Sequence, residues 1–274
     1  VNITMENAKK WPLTVTFRVS NSDVAFRYTL HRGKGNNPKC AVIYSEANAF
    51  NFPDYTTTFI CPQSKTMAGW ERTKPSYEEE YTADAAMDVK SKFGEGYTFP
   101  CLFHVGNDGW VLVSETGTGS NYAGCHLSDY EKGKGYTVAF PNKTEMNGLG
   151  SEYVGIMVPG STPWRTITVG SNLKPIVETT VAYDLVEPLY KPSREYKPGR
   201  YTWSWLMWQD NSVNYNDQVK FIALAATMGY EYCLVDGLWD KQIGREKVEE
   251  LSRYAQSKGV KLMLWYNSNG YWND

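Results

Sequence analysis

The chain has 274 residues and a formal net charge of −2 at pH 7. That length can bury a sizeable core in one or two domains, and the near-neutral balance excludes the basic field of a nucleic-acid surface. No run of about 18 apolar residues occurs, so no membrane-spanning helix is predicted.

The 10 Trp and 20 Tyr point mildly toward carbohydrate, because their faces stack on the apolar faces of sugar rings, although an aromatic-rich β core needs them equally. The cysteines are Cys40, Cys61, Cys101, Cys125 and Cys233. None has CxxC spacing and no Cys/His set has zinc spacing. Free thiols are expected, with one or two disulfides among the first four left open. The chain opens at Val1 with no leader, as a processed protein or a fragment would. Asn2-Ile3-Thr4 and Asn142-Lys143-Thr144 have sequon form.

In chain order, residues 1–187 read as β. Residues 13–19 alternate apolar and polar, and residues 24–30 follow after Ser20-Asn21-Ser22-Asp23, which predicts a hairpin. Further strands are predicted over 40–44, 56–61, 96–105, 109–115, 136–139 and 164–169, separated by turn clusters at 33–38, 106–109, 117–119 and 159–163. Short strands punctuated in this way predict an antiparallel β-sandwich. The acidic run 78–80 reads as solvated surface or loop. His104 and His126 have no partner at ligand spacing and read as structural. Gly117-Thr118-Gly119 neither follows a buried parallel strand nor opens a helix, which argues against a phosphate loop. Pro188, Pro192 and Pro198 break both periodicities, so 188–200 is read as a linker.

From residue 201 the pattern changes. Strand 201–208 is followed by a helix capped by Asn214, with Asp217 three residues on and Gly229 at its C-terminal end. Tyr232-Cys233-Leu234-Val235 is an apolar run without alternation, the mark of a strand buried on both faces. Cys233 in its middle reads as a small buried apolar residue. A second helix over 245–258, ended by Gly259, leads into strand 260–266. The order β-α-β-α-β predicts a parallel sheet. Its strands deliver Asp236 and several tryptophans to the C-terminal edge, where such folds place ligands. A complete (β/α)8 barrel takes roughly 250 residues, so three βα units predict either a sheet completed by another polypeptide or, the favoured reading, a piece of a longer protein.

Four stretches stand out in order along the chain: Asp23-Val24-Ala25-Phe26-Arg27-Tyr28 with Phe50-Asn51-Phe52-Pro53; Tyr97-Thr98-Phe99-Pro100 through Gly109 to Glu115 and on to Asn121-Tyr122-Ala123-Gly124; Thr162-Pro163-Trp164-Arg165 with Glu187-Pro188; and Trp203-Ser204-Trp205 with Gly229 to Tyr232 and Val235 to Trp239. Together they resemble glycoside hydrolase family 97. The resemblance implies a multidomain β plus α/β chain. An antiparallel β-sandwich over 1–187, its N-terminal part missing, would precede the linker 188–200, and 201–274 would hold the first three βα units of a (β/α)8 (TIM) catalytic barrel. It implies a bacterial, periplasmic or secreted hydrolase of α-glucosidic or α-galactosidic bonds in oligosaccharides, using a pair of carboxylates and an active-site calcium (Ca2+). The catalytic pair is expected beyond Asp274, so this stretch alone is expected to be inactive. A non-catalytic carbohydrate-binding protein with a degenerate barrel is the alternative.

The resemblance implies that Glu115 is one calcium ligand, donated by the sandwich; read alone it is a glutamate closing a strand. Asp236 either lines or braces the sugar pocket or caps the following loop. Trp239, placed beyond its strand in a loop, and one of Trp203 or Trp205 are expected to face the sugar, with Asn267 as a hydroxyl-binding candidate. Trp265 also falls on a strand end, where some of these indoles must be core.

Overall fold

The computed structural model describes residues 1–33, 39–64, 79–145 and 150–266. It divides into two units, Val1–Tyr190 and Lys191–Asp274. In the first unit the strands are β1 (Asn2–Glu6), β2 (Pro12–Val19), β3 (Asp23–Leu30), β4 (Cys40–Ile43), β5 (Ala49–Phe50), β6 (Thr57–Phe59), β7 (Ala85–Ala86) and β8 (Tyr97–Thr98). They continue as β9 (Cys101–Val105), β10 (Gly109–Thr116), β11 (His126–Leu127), β12 (Tyr136–Ala139), β13 (Val154–Met157), β14 (Gly160–Ser161) and β15 (Trp164–Gly170). Two short helices, α1 (Lys174–Glu178) and α2 (Val181–Asp184), follow.

Among the described residues all pairing in this unit is antiparallel. A nine-stranded sheet runs β1-β2-β3-β15-β10-β9-β6-β7, with β14 also on β3; a four-stranded sheet runs β5-β12-β11-β8; β13 pairs β4 alone. The β2–β3 hairpin is closed as its sequence suggests, with the Ser20 amide donating to the Asp23 carbonyl and the Ser20 hydroxyl to the Asp23 carboxylate, each at 2.8 Å. The predicted strand over 96–105 is two strands, because Pro100 lacks the N–H that would continue the ladder.

The core lies between the inner faces of the two larger sheets. Cys101, Phe103 and Val113 from one meet Phe50, Tyr97, Leu127, Tyr136 and Val138 from the other. Phe52 stacks on Phe103 with ring centroids 4.2 Å apart. Each large side chain buried there stabilises the fold by about 1.5–3 kcal/mol. The Tyr136 and Tyr97 hydroxyls, carried in with their rings, donate to the Met87 and Val89 carbonyls. All five cysteines are free thiols. Glu79, in a loop as the acidic run suggests, lies 3.2 Å from Lys92 Nζ, with its side chain 14% exposed.

The second unit contains β16 (Tyr201–Trp203), α3 (Trp205–Trp208), α4 (Tyr215–Met228), β17 (Tyr232–Val235), α5 (Trp239–Gln242), α6 (Arg245–Ser257) and β18 (Lys261–Leu264). The three strands are parallel in the order β16-β17-β18. Asn214 caps α4 by accepting the Asp217 amide at 3.0 Å, and Gly229 takes the left-handed conformation (φ 66°) that ends it. Phe221, Ile222 and Ala225 of α4 and Leu251 and Ala255 of α6 pack with Cys233 and Val260 into one apolar cluster. Val213, Val235, Trp239 and Val248 form a second. The strand predicted over 201–208 stops at Trp203. Buried Ser204 turns the chain into α3, where its Oγ accepts from Gln218 Nε2 at 2.9 Å and pairs with Ser212 Oγ at 2.8 Å. No described helix is long and apolar enough to cross a membrane.

Candidate functional site

The three parallel strands end at Trp203, Val235 and Leu264, so Asp236 and Trp265 leave β17 and β18 at the same edge that carries Trp203. Trp203 stands between two nearly parallel indoles. Trp205 is 5.6 Å away at 17° between planes, and Trp265 is 5.7 Å away at 9°. Each such pair contributes about 0.5–1.5 kcal/mol beyond the area it buries. Trp203 Nε1 donates to Asp236 Oδ2 at 2.6 Å, and the Gly237 amide donates to Asp236 Oδ1, also at 2.6 Å. Asp236 therefore braces the central indole and caps its own loop at once. Trp205 is fixed through Nε1 donating to Asp210 Oδ1 at 2.9 Å. Trp265 is 43% exposed and continues the ladder by donating to the Val235 carbonyl.

The result is an edge of flat aromatic surface beside one carboxylate, carried by two strand ends and the first residue of α3. Such a surface suits a ring with an apolar face and hydroxyls at its rim. Leu238 closes the turn after Asp236 in the left-handed conformation (φ 67°), which costs a non-glycine residue roughly 1–2 kcal/mol. Local structure of this kind persists only where the surroundings impose it.

Trp239 does not take the role expected of it. It opens α5 rather than lying in a loop, it is 8% exposed, and its ring packs with Val213, Val235 and Val248. Its Nε1 donates to the Trp265 carbonyl at 3.2 Å. Trp239 is thus core beneath the edge, and the sugar-facing assignment is corrected on that ground. Trp203 and Trp205 both stand in the stack, and Trp265 joins them. Asn267 lies outside the described residues.

Glu115 belongs to the first unit, near the end of β10, and is held in a buried cluster. Arg165, fully buried on β15, forms a two-pronged ion pair with Glu46 (Nε to Oε2 3.1 Å, Nη2 to Oε1 2.5 Å) and donates through Nη1 to Glu115 Oε2. Glu115 Oε1 accepts the Cys125 amide at 2.8 Å, and Tyr122 donates to Glu46 Oε1 at 2.8 Å. Burial pushes the Glu115 carboxyl up, opposed by Arg165. Burial likewise pushes the Cys125 thiol up to about 12, leaving it protonated and unreactive. The pairing of Arg165 with Glu46 was not read from sequence. Its signal was an arginine at an inward position of a strand, which demands a buried carboxylate. Among the described residues, no group of three His, Cys, Asp or Glu side chains could hold a metal ion.

Three comparisons place these features. The beta-arabinopyranosidase crystal structure covers 100% of this chain at 57% identity and a TM-score of 0.91, with 43% of that protein matched. A retaining alpha-galactosidase of Bacteroides thetaiotaomicron is 24% identical over 99% of this chain and 44% of its own length. A glycoside hydrolase family 97 enzyme of Pseudoalteromonas sp. strain K8, solved in complex with panose, shares the fold over 96% of this chain and 44% of its own, with TM-score 0.68 and 19% identity. The chain thus spans less than half the length of each relative. The family model for the glycosyl-hydrolase 97 N-terminal domain matches residues 1–188, and the chain belongs to that family.

Proposed function

We propose that this chain is part of a retaining glycoside hydrolase that cleaves α-galactosidic bonds or bonds of the same ring configuration. The observation that carries the reading is the stack of Trp203, Trp205 and Trp265, braced by Asp236, at the ends of parallel strands. It stands in a chain 57% identical to a beta-arabinopyranosidase along its whole length. The three strands are read as the first βα units of a (β/α)8 barrel, whose ligand edge is the C-terminal one. A β-L-arabinopyranoside has the ring configuration of an α-D-galactopyranoside with hydrogen in place of the C5 hydroxymethyl group. One site can therefore serve both, and the room left at C5 decides the preference. The equatorial and axial hydroxyl pattern separates both from α-glucosides.

In this reading the indoles supply a stacking face and Asp236 keeps the central one in place. The carboxylic acid that protonates the leaving oxygen and the carboxylate that attacks the anomeric carbon lie outside the described residues. In a retaining enzyme those groups stand roughly 5–5.5 Å apart. Glu115 is proposed as one calcium ligand. Each of its oxygens already accepts one hydrogen bond and keeps a second lone pair. Calcium takes 6–8 oxygens, so the described residues do not by themselves form a calcium site, and the remaining ligands would come from elsewhere. When bound, calcium would supply positive charge toward sugar oxygens. A periplasmic or secreted location belongs to the same proposal.

The test is the initial rate of the whole protein on nitrophenyl α-D-galactopyranoside, β-L-arabinopyranoside and α-D-glucopyranoside. Each is measured before and after a chelator, with calcium added back. Preference for either of the first two over the glucoside by tenfold or more, at rates restored by calcium, is expected. Equal rates on all three, or none, would remove the assignment.

A further inference from the structure

The sheet-rich unit carries a pocket of about 290 Å³, separate from the Glu115 cluster and built where β2, β3 and β15 meet α2. Two of the stretches singled out in the sequence converge on it. Residues 23–28 contribute Asp23 and Arg27, and residues 162–165 contribute Trp164; Arg18, Ser20 and Asp184 complete its polar lining. The Arg27 guanidinium carbon sits over the Trp164 ring, 4.4 Å from its centroid, and its Nε is shut off from solvent without a hydrogen-bond partner. Among the described residues, neither Arg18 nor Arg27 has an ion-pair partner.

The two aspartates of the lining keep their negative charge, but their oxygens are taken by hydroxyl groups and neither forms an ion pair with Arg18 or Arg27. Asp23 accepts the hydroxyls of Ser20, Thr168 and Thr179, and Asp184 accepts that of Thr180. Two guanidinium groups on adjacent strands, one half-buried, therefore face a common space with their donors unspent. Guanidinium does not lose its proton in proteins, so the repulsion between them cannot be relieved by neutralisation. Burial and the charge of Arg18 both press on Arg27 in that direction. An anion relieves it, and the guanidinium fork matches the spacing of two oxygens on one carboxylate or one tetrahedral oxyanion.

We propose that this pocket is a binding site for a small oxyanion, held by Arg18 and Arg27 with the Trp164 ring as the floor beneath Arg27. The proposal does not depend on the sugar-cleaving reading. The shared chemistry is two oxygens carrying a negative charge, and the source is either a tetrahedral inorganic anion or the carboxylate of an acidic sugar.

The experiment is calorimetric titration of the whole protein with sodium sulfate and, separately, sodium glucuronate, at ionic strength matched with chloride. The binding that counts is the part removed by arginine substitution. Arg18→Gln, at an exposed residue, and Arg27→Lys, which keeps the charge and loses the fork, are each expected to weaken binding at least about tenfold. Sulfate as the tighter ligand assigns an inorganic source; glucuronate as the tighter ligand assigns an acidic sugar. Either supports the site. No saturable heat with either anion overturns the proposal, and so does binding that both variants leave unchanged.

Discussion

Substituting Asp236 by alanine should loosen the central indole of the stack. The carboxylate accepts two hydrogen bonds of 2.6 Å, one from Trp203 Nε1 and one from the Gly237 amide. A hydrogen bond to a charged group contributes roughly 1.5–3 kcal/mol net, and at this partly exposed edge the lower end applies. Only the first bond orients Trp203. The two stacking contacts hold the same ring with about 0.5–1.5 kcal/mol each, so the ring is loosened and not released. The share reaching a bound sugar is therefore about 1.4 kcal/mol, or tenfold in kcat/KM. Trp203→Phe removes the N–H and keeps a stacking ring. On that background Asp236→Ala should cost little more, giving a coupling of about 1–1.5 kcal/mol in the double-mutant cycle. The assay is kcat/KM of the whole protein on its best nitrophenyl glycoside for wild type, both single variants and the double. Strict additivity, or a loss under twofold in Asp236→Ala, would refute the reasoning.

Arg165→Met strands two buried carboxylates and should destabilise the first unit by about 3–5 kcal/mol at neutral pH, read from its urea transition. Adding Glu46→Gln and Glu115→Gln should recover more than half of that, and a loss under about 1 kcal/mol would contradict the cluster as described. Burial acts to raise the Asp23 carboxyl, but the hydroxyls of Thr168, Thr179 and Ser20 together bring it below its ordinary value. A lowered folded-state pKa stabilises above the unfolded value of roughly 3.9 and is lost as pH falls through the folded one. Asp23→Asn should therefore lower the unfolding midpoint at pH 6, with the gap closing toward pH 3; an equal gap at both would tell against the linkage. Asn214→Ala should cost about 1 kcal/mol, measured as the shift of the second unit's unfolding transition.

Much of this was legible because it is local. Strict alternation in β2 and β3, the Asn214 cap and the Gly229 stop each encode their structure within a few residues. The unbroken apolar run of β17 likewise announced a strand buried on both faces, and the acid after it announced the edge. What escaped was set by distant partners. Trp239 follows a strand, as a loop residue would, but the turn at Leu238 folds it under the edge onto Val213 and Val248. The residues after Trp203 keep a strand-like pattern, yet hydrogen bonds from Gln218 and Ser212 to Ser204 bend them into a helical turn. Arg165 meets Glu46 across 119 residues and Glu115 across 50, a pairing no spacing rule contains. β13 was missed because its partner β4 lies far back in the chain, and β1 because Asn2–Glu6 is exposed at every position.

The most direct test of the central claim is the anomer first released by the whole protein from nitrophenyl α-D-galactopyranoside, followed by proton NMR before mutarotation. A retaining enzyme of this configuration should give α-galactose first, decaying to the equilibrium mixture. β-Galactose appearing first, or no release from either the galactoside or the β-L-arabinopyranoside, would contradict the account.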